Sequence, residues 1–397
     1  MTQFDQSTLL NTLPKQFFAA LTKKAAQYVN AGHDVINLGQ GNPDQPTPQH
    51  IVDSLKTAAD RSDFHKYPPF QGQLFLKEAA AEFYKREYDV DLDPEKEVAI
   101  LFGGKAGLVE LPICLLNPGD YMLVPDPGYP DYWSGAALAG AKMDYMPLTA
   151  ENGFLPDYSV MDSEQLERAK LLLLNYPNNP TGAQANPAFF DETVHLARQH
   201  NICVVHDFAY GGVGFDGVKP PSFLQAEGAK DIGVEVYTLS KTYNMAGWRV
   251  GFVAGNKSVI SAINLLQDHM YVSLFSAIQK AAADALTGPQ DCVRGLTDMY
   301  ERRRNVFIQA CKKIGWDVTA PAGSFFVWLP VPAPYTSVEF ADVLLEKAHV
   351  VTAPGIGFGT YGEGYVRVGL LTDENRLLEA VERIGKQELF VDKMRKK

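Results

Sequence analysis

The sequence predicts an α/β fold: a large domain with a mostly parallel sheet flanked by helices, plus a smaller α+β domain. Three observations carry this. Between about residues 50 and 280, short runs that are apolar throughout alternate with amphipathic stretches, as in strands buried on both faces. Polar and glycine-rich clusters stand directly after those runs, where loops leave the carboxyl ends of strands and open-sheet proteins bind ligands. After about residue 280 the texture shifts to long helical stretches around a few strand-like segments.

Taken in order, residues 1–45 read as an N-terminal arm that packs on the smaller unit. Residues 46–280 form the large domain, and 281–397 the small one. Val98-Ala99-Ile100-Leu101-Phe102 reads as a strand, then Gly103-Gly104 and a helix from about Lys105 to Leu116. Tyr121 to Val124, Leu171 to Leu174, Ile202 to Val205, Val234 to Tyr237 and Val250 to Val253 read as further strands. Beyond 280, helical stretches (Ala281 to Leu286, Met299 to Ile314) lead to Ser324 to Leu329, a helix near Phe340 to Ala348, strand-like Tyr365 to Val368 and a last helix, Glu374 to Ile384.

Composition narrows the function. The 397 residues are 46% hydrophobic and 21% charged, suited to a large buried core. A net charge of −11 argues against a nucleic-acid surface, which would be basic. The basic cluster Lys393 to Lys397 reads as a solvated tail. Four cysteines, Cys114, Cys203, Cys292 and Cys311, are far apart, with neither zinc-like nor disulfide-framework spacing, so no metal is expected. Cys203 reads as a buried small hydrophobe. The first residues lack a secretory pattern and no apolar run is long enough to span a bilayer, so the expectation is a cytoplasmic protein without a membrane role.

The most informative stretch is Thr238-Leu239-Ser240-Lys241, which follows a strand and runs to Gly247-Trp248-Arg249. Two hydroxyls and a guanidinium around one lysine suit a cofactor that bears both a phosphate and an aldehyde. Arginine and hydroxyls hold phosphate, and the lysine amine condenses with the aldehyde as a Schiff base. Pyridoxal 5′-phosphate is the common cofactor with that pair of groups. In isolation the pattern also fits a solvated lysine beside a structural arginine.

Other pieces agree. Asp207, in Val205-His206-Asp207, emerges from an apolar run, which is costly unless the carboxylate is paired; a pyridinium nitrogen is a fitting partner, and a helix cap is the plainer use. Asn178-Asn179-Pro180-Thr181-Gly182 follows a strand and aims an amide, although it is also a good turn. Gly103-Gly104-Lys105 lies between strand and helix, where free N–H groups favour an anion. It is not a P-loop, because positions 99 and 106 are both alanine. Tyr129, on the stiff loop Pro125 to Pro130, can stack on a flat ring or simply pack. Gly212 to Gly217 matches G-x-G-x-x-G, but Lys219-Pro220-Pro221 follows where a dinucleotide fingerprint needs a helix. A nicotinamide dehydrogenase and a catalytically dead binding module are therefore the rivals from other classes.

Together these motifs resemble, over essentially the whole chain, the class I/II, fold-type I pyridoxal phosphate-dependent aminotransferases of the aspartate aminotransferase plan. The resemblance implies that Lys241 forms the Schiff base and shuttles the proton. It implies that Arg249, Thr238, Ser240 and the backbone of Gly104 and Lys105 hold the phosphate. Asp207 would pair with the ring nitrogen, Asn179 and Tyr210 with the phenolic oxygen, and Tyr129 would stack on the ring. Arg367, in Tyr365-Val366-Arg367-Val368, would clamp the substrate α-carboxylate, with Gly41 adding backbone contact. Tyr67 would reach the phosphate of a neighbouring subunit, which implies a homodimer acting on amino acids and 2-oxo acids.

Two departures bear on specificity. The His269 to Phe275 stretch lacks the arginine that reads a distal carboxylate in aspartate-specific members, and Tyr132 stands where a histidine backs the ring-binding aspartate. Within the family, Pro14 to Ala19, Asn37 to Asp44 and Asp126 to Trp133 are most similar to the methionine-salvage aminotransferases. This implies amination of 4-methylthio-2-oxobutanoate to methionine. A C–S β-lyase, or an aromatic or LL-diaminopimelate specificity on the same fold, is the alternative.

Overall fold

A computed structural model describes residues 4–14 and 17–390. Lys15 and Gln16 of the Pro14 to Ala19 stretch, and the basic tail 393–397, lie outside the described residues.

A seven-stranded sheet forms the larger half. Its spatial order is Val98–Leu101, Gly251–Gly255, Gly233–Thr238, Cys203–Asp207, Ala169–Asn175, Tyr121–Asp126 and Lys142–Pro147. Neighbours run parallel except Gly251–Gly255, which is antiparallel to both strands beside it. Leu171, Leu172, Leu173 and Leu174 are completely buried, so both faces of their strand are covered by helices. The sequence pattern does not announce Lys142–Pro147. That edge strand is half exposed and carries Lys142 and Asp144, so it lacks the uniform apolarity of its neighbours.

Helix limits follow local chemistry. Asn186 caps Pro187–His200 by accepting the Phe189 N–H, with Pro187 at the first helical position. Thr336 and Glu339 form a reciprocal capping box at the start of Ser337–Ala348.

A second core gathers around a three-stranded antiparallel sheet, Ala353–Pro354, Tyr365–Gly369 and Phe326–Pro330, with helices Asp291–Lys313, Ser337–Ala348 and Glu374–Gly385. Ile36–Asn37 pairs in parallel with Val350–Val351, and Ile36 and Leu38 join this core. The helix Ser276–Thr287 crosses the boundary expected at residue 280. Its Ala281, Ala282, Ala285 and Leu286 pack into the larger core, so the change of core comes after this helix. Its alanine-rich apolar face meets helices Gln49–Ala59 and Leu74–Tyr88, contacts that the local pattern does not announce. All four cysteines are free, and Cys203 is half-buried rather than buried.

Candidate active site

Strand register brings the polar groups to one edge. Asn175 pairs with Asp207, and Asp207 with Val236, two residues before Thr238. The reversed strand begins at this same edge, because Gly251 pairs with both Thr238 and Leu101. Arg249 and the Gly103-Gly104 turn are therefore delivered beside the Lys241 segment from opposite directions along the chain. Thr238, Ser240, Lys241, Arg249, Gly104, Lys105, Asp207, Asn179, Tyr210, Tyr129, Gly41 and Arg367 all line one cavity of about 600 Å³.

One end of this cavity is a cradle for an anion. Thr238 Oγ1 donates to Ser240 Oγ at 2.9 Å. Arg249 takes a left-handed backbone (φ 57°), uncommon for a residue with a side chain. Its guanidinium donates to Ala246 O and Phe102 O, which fixes the fork in place. Gly103 takes a backbone φ of 82°, and a Cβ there would fall 2.4 Å from Arg249 Nη2, so the turn favours glycine. Helix Gly104–Leu115 starts at this point with no acidic residue in its first turn, leaving its N-terminal N–H groups for an anion. The Lys105 side chain is engaged elsewhere, 2.9 Å from Asp131, so its backbone is what the cradle can use.

Asp207 and Lys241 carry the unusual proton affinities. Burial pushes the Asp207 carboxyl up to about 6, and the Tyr132 hydroxyl donating to Oδ2 at 2.7 Å holds it from rising further. Ala209 N–H donates to Oδ1. Tyr132 thus fills the backing position that the sequence leaves without a histidine. Burial, then the Arg367 and Arg249 charges, pulls the Lys241 amine down to about 8. Its Nζ donates to Gly41 O at 2.9 Å.

The Asp207 shift has a stability consequence. With its carboxyl raised to about 6 in the fold, the folded chain holds a proton that the unfolded chain releases near pH 4. Stability of the cofactor-stripped protein therefore falls as pH rises between about 4 and 6. Asp207→Asn removes that loss and should stabilise the stripped protein at pH 7 by roughly 1–3 kcal/mol. Urea titrations at pH 4 and pH 7 check this: a variant that gains nothing at pH 7 overturns it.

Arg367 occupies the other end. It is buried, and burial pulls the pKa of its guanidinium down to about 10. Nη1 donates to Asn179 Oδ1 and Nη2 to Gly39 O, both at 2.9 Å, while the buried Nε has no hydrogen-bond partner among the described residues. Phe326 lies 4.0 Å and Phe358 4.7 Å from the guanidinium carbon. An orphaned N–H on a desolvated guanidinium calls for an anionic acceptor. Tyr210 is held edge-on by Phe325, and burial raises its phenol well above the usual range.

Tyr67 is the predicted residue that does not join this cavity; it is 89% exposed on the surface. Sequence reasoning missed several contributors. Asn175 ties Asp207 to Asn179 by donating to Asp207 O and accepting from Asn179 N–H, both at 2.8 Å. Phe18, Leu21 and Val351 form an apolar wall. Arg303 grips Asp44 through two contacts of 2.8 Å, steadying the segment that presents Gly39 and Gly41. The amphipathic helix Phe17–Asn30 was the available signal for the wall; nothing local announces the Asp44 pair.

The donor set fits pyridoxal 5′-phosphate: an anion cradle, a buried carboxyl suited to a ring N–H, and a lysine amine of lowered basicity between them. Comparison with known proteins agrees. The family model for aminotransferase class I and II matches residues 33–384, which include every site residue named above except Phe18 and Leu21. The chain is 68% identical over 391 residues to the L-glutamine–4-(methylsulfanyl)-2-oxobutanoate aminotransferase of Bacillus subtilis (strain 168), covering 98% of each. It is 46% identical over 375 residues to the LL-diaminopimelate aminotransferase of Moorella thermoacetica, covering 94% of this chain and 96% of that one. It superposes on a substrate-bound structure of BacF from Bacillus subtilis with a TM-score of 0.94 and 49% identity, covering 98% of both chains. The chain belongs to the class I and II aminotransferases, which are pyridoxal phosphate-dependent enzymes.

Proposed function

We propose that the enzyme moves an amino group between a neutral, methionine-like L-amino acid and a 2-oxo acid in a ping-pong sequence, and that its leading reaction aminates 4-(methylsulfanyl)-2-oxobutanoate to methionine. One observation carries the substrate class. The buried Arg367 fork, with its unpartnered Nε, faces a cavity whose wall beside it is apolar: Phe18, Leu21, Phe326 and Val351. The strong similarity to the Bacillus subtilis enzyme whose name carries that 2-oxo acid supports the same choice.

In this reading Lys241 holds the cofactor covalently, and Arg249, Thr238, Ser240 and the Gly104 and Lys105 amides hold its phosphate. Asp207 holds the ring nitrogen, Asn179 and Tyr210 the phenolic oxygen, and Tyr129 packs on the ring. Bound pyridoxal phosphate supplies the electron sink that makes the substrate Cα–H removable. Lys241 Nζ, released when the substrate amine takes its place on the cofactor, would take that proton from Cα. It would deliver the proton to the cofactor's former aldehyde carbon, so that the amino group stays behind as the 2-oxo acid leaves. Arg367 and Gly41 orient the α-carboxylate.

A homodimer completes the site. Tyr67 does not line the cavity of its own chain, and Gln71 reaches Asp268, which sets the Tyr67–Phe70 surface beside exposed Met270 and Phe275. We read that apolar surface as the face a second copy covers, with Tyr67 reaching the second copy's phosphate.

The test is a panel of donors (methionine, glutamine, leucine, phenylalanine, aspartate, LL-diaminopimelate) against fixed 2-oxo acids. The expected kcat/KM ratio of methionine over aspartate exceeds one. Neighbouring neutral side chains should differ by only about 1–3 kcal/mol per methylene. A ratio below one means that a distal-carboxylate clamp exists. Pyruvate release from a C–S substrate without 2-oxo acid would instead favour a β-lyase. Arg367→Lys should lower kcat/KM for every substrate, because an ammonium cannot reproduce the planar fork.

A further inference from the structure

Asp126 is a buried carboxylate at the carboxyl end of Tyr121–Asp126, the strand next to the edge of the large sheet, and it faces no ion-pair partner among the described residues. Its oxygens instead accept two backbone N–H groups from the other half of the molecule, Thr360 at 3.0 Å and Tyr361 at 2.9 Å. Gly128 N–H adds a third bond across the same junction, to Phe358 O at 2.8 Å. The fit leaves no slack, because a Cβ on Gly359 would stand 2.1 Å from Asp126 Oδ1.

A desolvated carboxylate is a poor general adhesive, because burying it forfeits hydration that two N–H bonds only partly replace. Its place explains it better. The loop it fastens carries Phe358, whose ring lies 4.7 Å from the Arg367 guanidinium carbon and 5.2 Å from the ring of Phe18 on the cavity wall. Trp328, opposite Arg367 in the sheet register, meets Phe358 edge-on at 5.8 Å. The chain of contact runs from the large sheet through Asp126 and the 358–361 segment to the ring that bounds the arginine.

We infer that Asp126 is a positioning residue for the substrate α-carboxylate: by fastening the 358–361 segment to the large sheet, it holds the Phe358 ring against Arg367. This rests on the proposed reading of Arg367 as the carboxylate's partner. Asp126→Asn puts an NH2 where one N–H needs an acceptor, and Gly359→Ala pushes on the same contact from the other side. Both variants free Phe358 to shift and leave Lys241, Asp207 and the anion cradle untouched.

The test uses the pyridoxal phosphate-loaded enzyme with two donors: methionine, and 3-(methylthio)propylamine, which has the same side chain and no carboxylate. Each variant should lose about tenfold in kcat/KM for methionine, mainly through KM. The slow half-reaction with the amine should stay within about twofold, since that donor does not use the arginine. Parallel losses with both donors, or no loss with methionine in either variant, overturn the inference. The underlying reading has its own readout. If the wild-type enzyme shows no preference for methionine over the amine, Arg367 does not read the carboxylate and both ideas fall. If that preference is strong and unchanged in both variants, Arg367 keeps its role and only Asp126 loses its own.

Discussion

Lys241→Ala should retain the fold and lose at least about 10²–10⁴ of the turnover, because on the proposed reading one group supplies both the covalent hold and the proton transfer. The amine is well suited to proton transfer, since burial and the Arg367 and Arg249 charges lower its proton affinity toward neutrality. Among the described residues the Lys241 amine donates to Gly41 O and lies 5.5 Å from the centre of the Phe325 ring, so the fold does not hang on it. Two measurements check the claim. Borohydride treatment of the wild-type enzyme followed by mass mapping should place the pyridoxyl group on Lys241, and single-turnover amination should be nearly absent in the variant. A label on another lysine overturns the assignment.

Asp207→Ala should slow Cα–H removal by about 10²–10³ while leaving Lys241 able to bind the cofactor. On the proposed reading, the variant lacks the charge that would keep the ring nitrogen protonated. The Tyr132 hydroxyl and Ala209 N–H also lose their shared acceptor. Stopped-flow single turnovers with Cα-deuterated methionine give the readout: the rate falls and the isotope effect grows as proton removal comes to limit the reaction. A rate close to wild type would reduce Asp207 to a cap of its loop.

The elements legible in the sequence were those whose cause is local. Leu171 to Leu174 announces a buried strand because both of its faces are covered, so every position is apolar. Val234 to Tyr237 is buried as well, but its Glu235 is admitted by partners at Tyr84, His206 and Ser222 that the local sequence does not show. The Ser240-Lys241 run with Arg249, and Asp207 at the end of an apolar run, point to chemistry only in combination, because each alone has a plainer use and a carboxylate leaving an apolar run needs a partner. The edge strand Lys142–Pro147 stayed hidden because one side meets solvent and its composition is mixed.

By itself the sequence determined the α/β plan, the family resemblance and the Thr238 to Arg249 run as the place to look for chemistry, since each depends on residues close together along the chain or on a repeated local pattern. Only the tertiary structure decided that Gly251–Gly255 runs against its neighbours and thereby brings Arg249 to the Lys241 edge. It also decided that Arg367 meets Asn179 across 188 residues, and that Asp126 fastens to Thr360 and Tyr361 more than 200 residues away. Such pairings have no local signature, because the energy that selects them comes from burying two distant groups together, and neither segment's own sequence records its partner.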